Sequence, residues 1–329
     1  MSGRRPIPPH ERGAALLTVL LLVAVMGAIS AAALEKLRLS TALAVNSAGI
    51  DRARAFAIGL ESLLTLTVDD LTARSPERTT LTGGWNGAVR QYPLPGGGLA
   101  EATVRDGGNC FNINSLVEER GPGLYTKRPL AIGQFVGLMR VLEVPEATAR
   151  SVAEAAADWA DSDAEAGREG AEDPQYAGAP TPYRTGNTMF AEVSELRAVA
   201  GVTPELYGRV RPWLCALPTT ELSSINVNTL LPDQAPLLAM LAPEQFSVDR
   251  AGQVIAERPA QGWDSLVDFW EVVDLNVPLE VQFQTQLRTR WFAMDLRIAL
   301  DGAQAYETAL IDARRAPSRL AVRRWGNDD

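Results

Sequence analysis

The hydrophobic pattern divides the chain into unequal parts. A polar, Pro-rich stretch, MSGRRPIPPHERG, precedes residues 13–34, which carry no charge over 22 positions. As a helix this run covers roughly 33 Å, the hydrocarbon thickness of a bilayer. Its basic flank predicts a cytoplasmic N-terminus. An uncleaved signal anchor is the simplest physical reading, although the natural break lies before the apolar run, where Gly13 meets Ala14. The helical pattern then continues. Residues 35–70 hold no proline, and Leu43, Ala44, Ala48, Ala55, Ile58, Leu63 and Leu66 recur at helical spacing. A helix of about 55 residues would project some 50 Å beyond the membrane. It needs a partner along its length, either its own domain or neighbouring copies.

Beyond the helix the period changes. Residues 83–109 predict short strands broken by glycine and proline. From about 115 to 285 the pattern is helical, with two stretches separated by an acidic, Gly-rich loop at 161–187. In residues 289–300, Phe292, Met294, Leu296, Ile298 and Leu300 fall on one face with period two, and 305–311 and 319–325 are plausible partner strands. The predicted class is α+β: a long N-terminal helix on a small antiparallel sheet, with an inserted helical domain. The segments are 1–13 (leader), 14–34 (membrane), 35–72 (helical stem), 73–114 with 286–329 (helix-and-sheet domain) and 115–285 (insert).

Composition narrows the function. A chain of 329 residues can bury a sizeable core and divide into two or three domains. The net charge of −9 becomes more acidic without the basic leader, which disfavours polyanion binding. The only histidine is His10, so Ser-His-Asp and Cys-His catalysis, histidine zinc sites and the HExxH motif are excluded downstream of it. Carboxylate-only hydrolysis has no supporting motif. Cys110 and Cys215 both follow the apolar run. If that run is an anchor, both lie in an oxidising compartment, where an even pair favours a disulfide.

A short phrase occurs twice, as CFNINSL (110–116) and SINVNTL (224–230). It suits an extended lead into a helix N-terminus, with Asn114 and Asn228 as cap candidates. Residues 195–214 and 225–272 resemble two helix-hairpin-helix (SAM-like) units. The turn of the second reads Leu241-Ala242-Pro243 and lacks the glycine that would offer backbone N–H groups to phosphate, so a structural use is favoured over DNA binding. In the acidic loop, Asp161, Asp163, Glu165 and Glu172 hold positions 1, 3, 5 and 12 of an EF-hand-type spacing, with Asp173 adding a fifth carboxylate. Position 6 is Ala166 rather than glycine, so the loop is not an EF-hand. A solvated acidic run is the bland alternative; the glycine and proline punctuation favours a structural calcium ion.

These motifs carry a resemblance. The start of the apolar run, RGAALLTVLLLVAVM, is similar to the N-termini of type IV pilin-like proteins. CFNINSL, the DWxDxD…GAEDxxY loop running into SELRAV, and RPWLCALP followed by INVNT resemble the minor pseudopilin K (GspK) family of type II secretion. The resemblance covers nearly the whole chain. It implies cleavage by prepilin peptidase between Gly13 and Ala14, with methylation of Ala14. It also implies a pilin-like fold at the tip of the pseudopilus, in the inner membrane with its globular part in the periplasm, and no enzymatic activity. The implied partners are the I- and J-type minor pseudopilins and the inner-membrane platform of the secretion system, with no nucleic acid. Most pilins carry glutamate at the fifth mature position; here it is Thr18, as in the K type. A buried carboxylate is dispensable where no subunit sits beyond. The matched motifs place the two cysteines at either end of the first hairpin unit, which implies a Cys110–Cys215 bridge. The rival reading from another class is a membrane-anchored DNA receptor of the ComEA kind.

Overall fold

The computed structural model describes residues 9–178 and 180–326, with backbone only for 9–13; residues 1–8 of the leader lie outside the described residues. One helix, α1 (Pro9–Arg74), runs unbroken for 66 residues, about 100 Å. Its N-terminal part from Ala14 is long and apolar enough to cross a membrane, and residues 14–48 are exposed.

Then come β1 (Val89–Leu94) and β2 (Gly98–Asp106), an antiparallel hairpin. The middle of the chain holds β3 (Phe111–Asn112), β4 (Val117–Gly121), β5 (Leu124–Lys127), α2 (Pro129–Val141), α3 (Glu146–Ala160), α4 (Asp173–Tyr176) and α5 (Pro204–Val210). It continues with β6 (Leu214–Cys215), β7 (Ile225–Asn226), α6 (Ala235–Ala239), α7 (Val248–Ala256), α8 (Leu266–Val273), α9 (Leu279–Gln282) and β8 (Thr285–Gln286). The chain closes with β9 (Trp291–Leu300), β10 (Ala303–Asp312) and β11 (Arg319–Trp325).

The five-stranded sheet has the order β1-β2-β9-β10-β11 with every neighbour antiparallel. Its inner face presents Phe292, Met294, Leu296 and Ile298 from β9, as the period-two pattern predicts. Small residues, Ala100, Ala102, Ala305 and Ala309, line the flanking strands and let the helix approach closely. The face of α1 that docks there is Ala53, Ala57, Leu60, Leu64 and Val68, at spacings of three and four. This corrects the sequence-based stripe. Ala55, Ile58, Leu63 and Leu66 point away from the sheet and are exposed, as is Leu43. The stem has two apolar faces, and the sheet takes the one that begins with alanines.

The insert has a core of its own. Phe111 and Phe135 stack with centroids 4.9 Å apart, among Ile113, Leu138, Leu196 and Leu230. Phe111 and Ile113 therefore pack with the insert, although the sequence pattern assigns residues up to 114 to the helix-and-sheet domain. Nor does the insert begin helically: β4 and β5 form a hairpin, with Val117 and Tyr125 buried and Pro122 and Gly123 of the turn exposed. That four-residue alternation is too short to stand out beside a helical neighbourhood.

The repeated phrase has a physical meaning that differs from the predicted caps. The first asparagine closes the turn: Asn112 Oδ1 accepts from the Asn114 N–H at 3.2 Å, and Asn226 Oδ1 from the Asn228 N–H at 2.9 Å. The second asparagine reaches across its unit. Asn114 accepts from Phe190 N–H and donates to Phe190 O, and Asn228 does the same to Trp263. Each phrase also supplies a two-residue parallel bridge, β3 with β6 and β7 with β8. A buried amide that satisfies both its carbonyl and its NH2 on one backbone residue fixes register without a longer strand.

The two parts meet in a buried junction at the end of β2, and ion pairs such as Arg324–Glu192 and Arg314–Glu221 join them elsewhere. Asp106, at the end of β2, is buried and accepts from Thr229 Oγ1 at 2.6 Å, Thr289 Oγ1 at 2.5 Å, and the N–H groups of Gly108 and Asn109. Burial raises its pKa, opposed by those donors. The insert also grips the segment just past α1: Asn226 Nδ2 donates to Thr79 O, and Thr79 N–H to Leu287 O. At the other end of the sheet, the β9–β10 turn meets α1 near Gly49, where a Cβ would lie 3.0 Å from that of Ala303, and Asp301 pairs with Arg52 at 3.2 Å. The insert thus sits at the end of the stem away from the apolar run.

Candidate functional site

The loop between α3 and residue 190 folds around aromatic side chains. Trp159 meets Tyr176 edge-on at 5.5 Å and Tyr183 at 6.2 Å, and its carbonyl accepts from Asn187 N–H. Two loop ends pinned to one tryptophan turn the carboxylates inward. Asp161, Asp163 and Glu172 each bring an oxygen within 4.8 Å of the others. Asp161 is fully buried, and neither of its carboxylate oxygens has a hydrogen-bond partner; Glu172 Oε1 is likewise unpartnered.

Such an arrangement is unfavourable as it stands. Two buried carboxylates at this spacing repel by about 3 kcal/mol at an effective dielectric near 20. Burial, with the charges of Asp163, Asp158 and Glu172, pushes Asp161 up to about 7 against the pull of Lys127. Burial and Asp158 raise Glu172 as well. Oxygens that are buried, anionic and unpartnered suit a hard divalent cation, and the set has no imidazole or thiolate to favour zinc.

The other two predicted ligands are placed elsewhere. Glu165 is exposed and contributes only its N–H, which donates to Asp163 Oδ1 at 2.8 Å. Asp173 turns to Thr185, accepting from its N–H and its hydroxyl, both at 3.0 Å. EF-hand spacing placed Glu165 at a ligand position, but that geometry needs a glycine turn at position 6, which this loop lacks.

Sequence reasoning missed Asp158 and Lys127. Asp158 lies on the inward face of α3, fully buried, ion-paired to Lys127 and accepting from Gly167 N–H at 3.0 Å. Gly170 packs so closely on the same carboxylate that a Cβ there would run into it. The DWxDxD string contained Asp158, and helical spacing from Ala155 would have turned it inward.

The remaining predicted positions are simply placed. Cys110 and Cys215 are bonded, S–S 1.92 Å with Cα atoms 5.8 Å apart, beside the β3–β6 bridge. Thr18 lies exposed on α1 and its hydroxyl donates to Ala15 O at 2.9 Å. Gly13 and Ala14 lie within the helix backbone.

The description "Type II secretion system (T2SS), protein K" matches residues 109–219 and again 225–289, more than half of the chain. The chain belongs to that family. It is 30% identical to the type II secretion system protein K of Pectobacterium carotovorum subsp. carotovorum, over 96% of this chain and 97% of that one. The corresponding protein of Aeromonas hydrophila is 35% identical over 77% of this chain and 78% of its own length. Its fold is similar to that of a chain in the crystal structure of the GspK–GspI–GspJ complex from enterotoxigenic Escherichia coli. There the TM-score is 0.73 at 27% identity, covering 84% of this chain and 97% of the other. The chain is accordingly a minor pseudopilin of type II secretion, with the α+β, pilin-like fold that the sequence predicts.

Proposed function

We propose that the mature chain is a non-enzymatic cap at the tip of the pseudopilus, assembling with I- and J-type minor pseudopilins on the inner-membrane platform. One observation supports this: the insert holds Arg78 and Thr79, just past the end of α1 away from the membrane run, so its bulk lies where a further subunit would have to stack above the stem. The second apolar face of the stem, Ala55, Ile58, Leu63 and Leu66, remains for neighbouring helices below. Coexpressed with the I- and J-type proteins of its own system, the chain is expected to purify as a three-component complex. Ile58→Asp with Leu66→Asp should release it, and a complex indifferent to those changes would refute the stem contact. The acidic charge and the missing hairpin glycine speak against the DNA-receptor alternative; a gel shift at moderate salt checks it.

Processing by prepilin peptidase is part of the same reading, and places the globular part in the periplasm. Cleavage after Gly13 should leave a chain starting at a methylated Ala14, readable as an intact mass. A side chain at residue 13 obstructs the close backbone approach that the cut requires, so Gly13→Val should leave Met1 in place. Recovery of normally shortened Gly13→Val protein would contradict this.

The loop is proposed to hold a structural calcium ion through Asp161, Asp163 and Glu172, with Glu165 and Asp173 in its outer surroundings. Gathering those carboxylates would fix α3 against the segment that begins near Val193. At a hundredfold excess over its dissociation constant, calcium adds about 2.7 kcal/mol, or about 5–10 °C in melting temperature. Asp161→Ala with Asp163→Ala should abolish that shift. Identical melting curves in chelator and in millimolar calcium would leave the loop as an acidic surface.

A further inference from the structure

Lys127 is one of only two lysines in the chain; nearly all of its 31 basic residues are arginine. It stands at the end of β5, three-quarters buried, where the hairpin meets α3 and the acidic loop. Its Nζ is ion-paired to Asp158 Oδ1 and lies 3.7 Å from Asp161 Oδ2. Glu154, also on α3, is the third carboxylate whose charge it feels. A Cβ at Gly167 would sit 3.1 Å from that ammonium, so the loop closes directly over it.

We infer that Lys127 is a built-in counter-cation of the calcium loop: it neutralises Asp158, supports the loop while no metal is bound, and sets how tightly calcium is held. This rests on the calcium reading above. An ammonium is a compact point charge with no planar fork, so it satisfies Asp158 and only leans towards Asp161. Arginine in its place would bridge both carboxylates and occupy the oxygens that stand unpartnered. With Lys127 present, the site offers Asp161, Asp163 and Glu172 as net charge; without it, Asp158 becomes a fourth. The same ammonium repels an incoming cation. It therefore lowers affinity while raising the stability of the metal-free loop, and these two effects have opposite signs.

That opposition gives the test. The full mature chain in detergent is titrated with calcium chloride by calorimetry and melted in chelator. Lys127→Met should bind calcium about tenfold more tightly or better, yet melt several degrees lower without it. Asp158→Asn, which leaves the ammonium free to turn to Asp161, should weaken calcium about tenfold or more and keeps the question decidable if Lys127→Met does not fold. The neutral pair Lys127→Met with Asp158→Asn should return both readouts towards wild type. Calcium affinity that is unchanged or weaker in Lys127→Met, or unchanged in Asp158→Asn, overturns the counter-cation role. Wild-type protein that takes up no calcium would remove the calcium reading itself, and is distinguished because it needs no variant to be seen.

Discussion

Replacing Cys110 and Cys215 by serine is expected to lower the stability of the insert by about 4–5 kcal/mol, the largest single effect anticipated for this chain. The bond closes a loop spanning 105 residues. In the chain-entropy account, that closure removes freedom from the unfolded state, and residual structure there makes the figure an upper one. The loss corresponds to about 10–20 °C in melting temperature for a domain of this size. The bridge joins the first asparagine phrase to the strand that pairs with it, β3 to β6, so its loss should loosen that pairing and the insert around it before the five-stranded sheet. Hydrogen exchange resolves the two parts. Wild-type protein unfolded without reductant should show no free thiol. A serine pair that melts like wild type would refute the prediction.

Glu307→Gln is expected to stabilise the protein at high pH by about 3 kcal/mol and to flatten its pH dependence. Glu307 stands among alanines on the inner face of β10, fully buried, with neither oxygen hydrogen-bonded; the Nε of Arg323 lies 3.5 Å away. That guanidinium is committed to Glu61 on α1, with bonds of 2.6 and 2.7 Å. Glu61 is buried too, yet Arg323 holds it below the usual carboxylate range. Burial, then the neighbouring Glu61 charge, pushes Glu307 up to about 8. A carboxyl raised in the folded state favours folding when protonated. Its contribution is therefore complete below about pH 4.5 and is lost as pH rises through 8. Glutamine mimics the protonated acid and cannot ionise. The difference between variant and wild type should therefore grow between pH 5 and 9, while Asp106, Asp161 and Glu172 titrate alike in both. A difference that does not change with pH would refute it.

The sheet was legible because β9 alternates from Phe292 to Leu300 and β10 sets Ala303, Ala305, Ala309 and Ile311 on one face, a period-two pattern that a one-faced strand requires. The helix was legible in extent but not in orientation. Two apolar faces share one sequence, and only the alanines of the sheet decide which is taken. The repeated asparagine phrase announced a recurring unit. The partner of each second asparagine could not be read, since Phe190 and Trp263 offer main-chain atoms that any residue would offer. In the acidic loop, spacing found Asp161, Asp163 and Glu172. It could not show that Glu165 faces solvent or that Asp173 turns to Thr185, twelve residues on. Lys127 escaped because an isolated basic residue on a strand has no signature until the fold places it beside Asp158.

The chain leaves the sheet at Asp106 and returns at Trp291, and Asp106 faces Phe292 across neighbouring antiparallel strands. Topologically, the whole insert is the connection of one hairpin. Lengthening such a connection is cheap: each doubling adds only about 0.6 kcal/mol of closure entropy, and a connection that folds on itself recovers that many times over. A helix-and-sheet subunit can therefore acquire a head of any size at this corner without altering the helix register or strand order through which it joins a filament. Terminal and repeating subunits can share one architecture and differ in what is grafted between two adjacent strands.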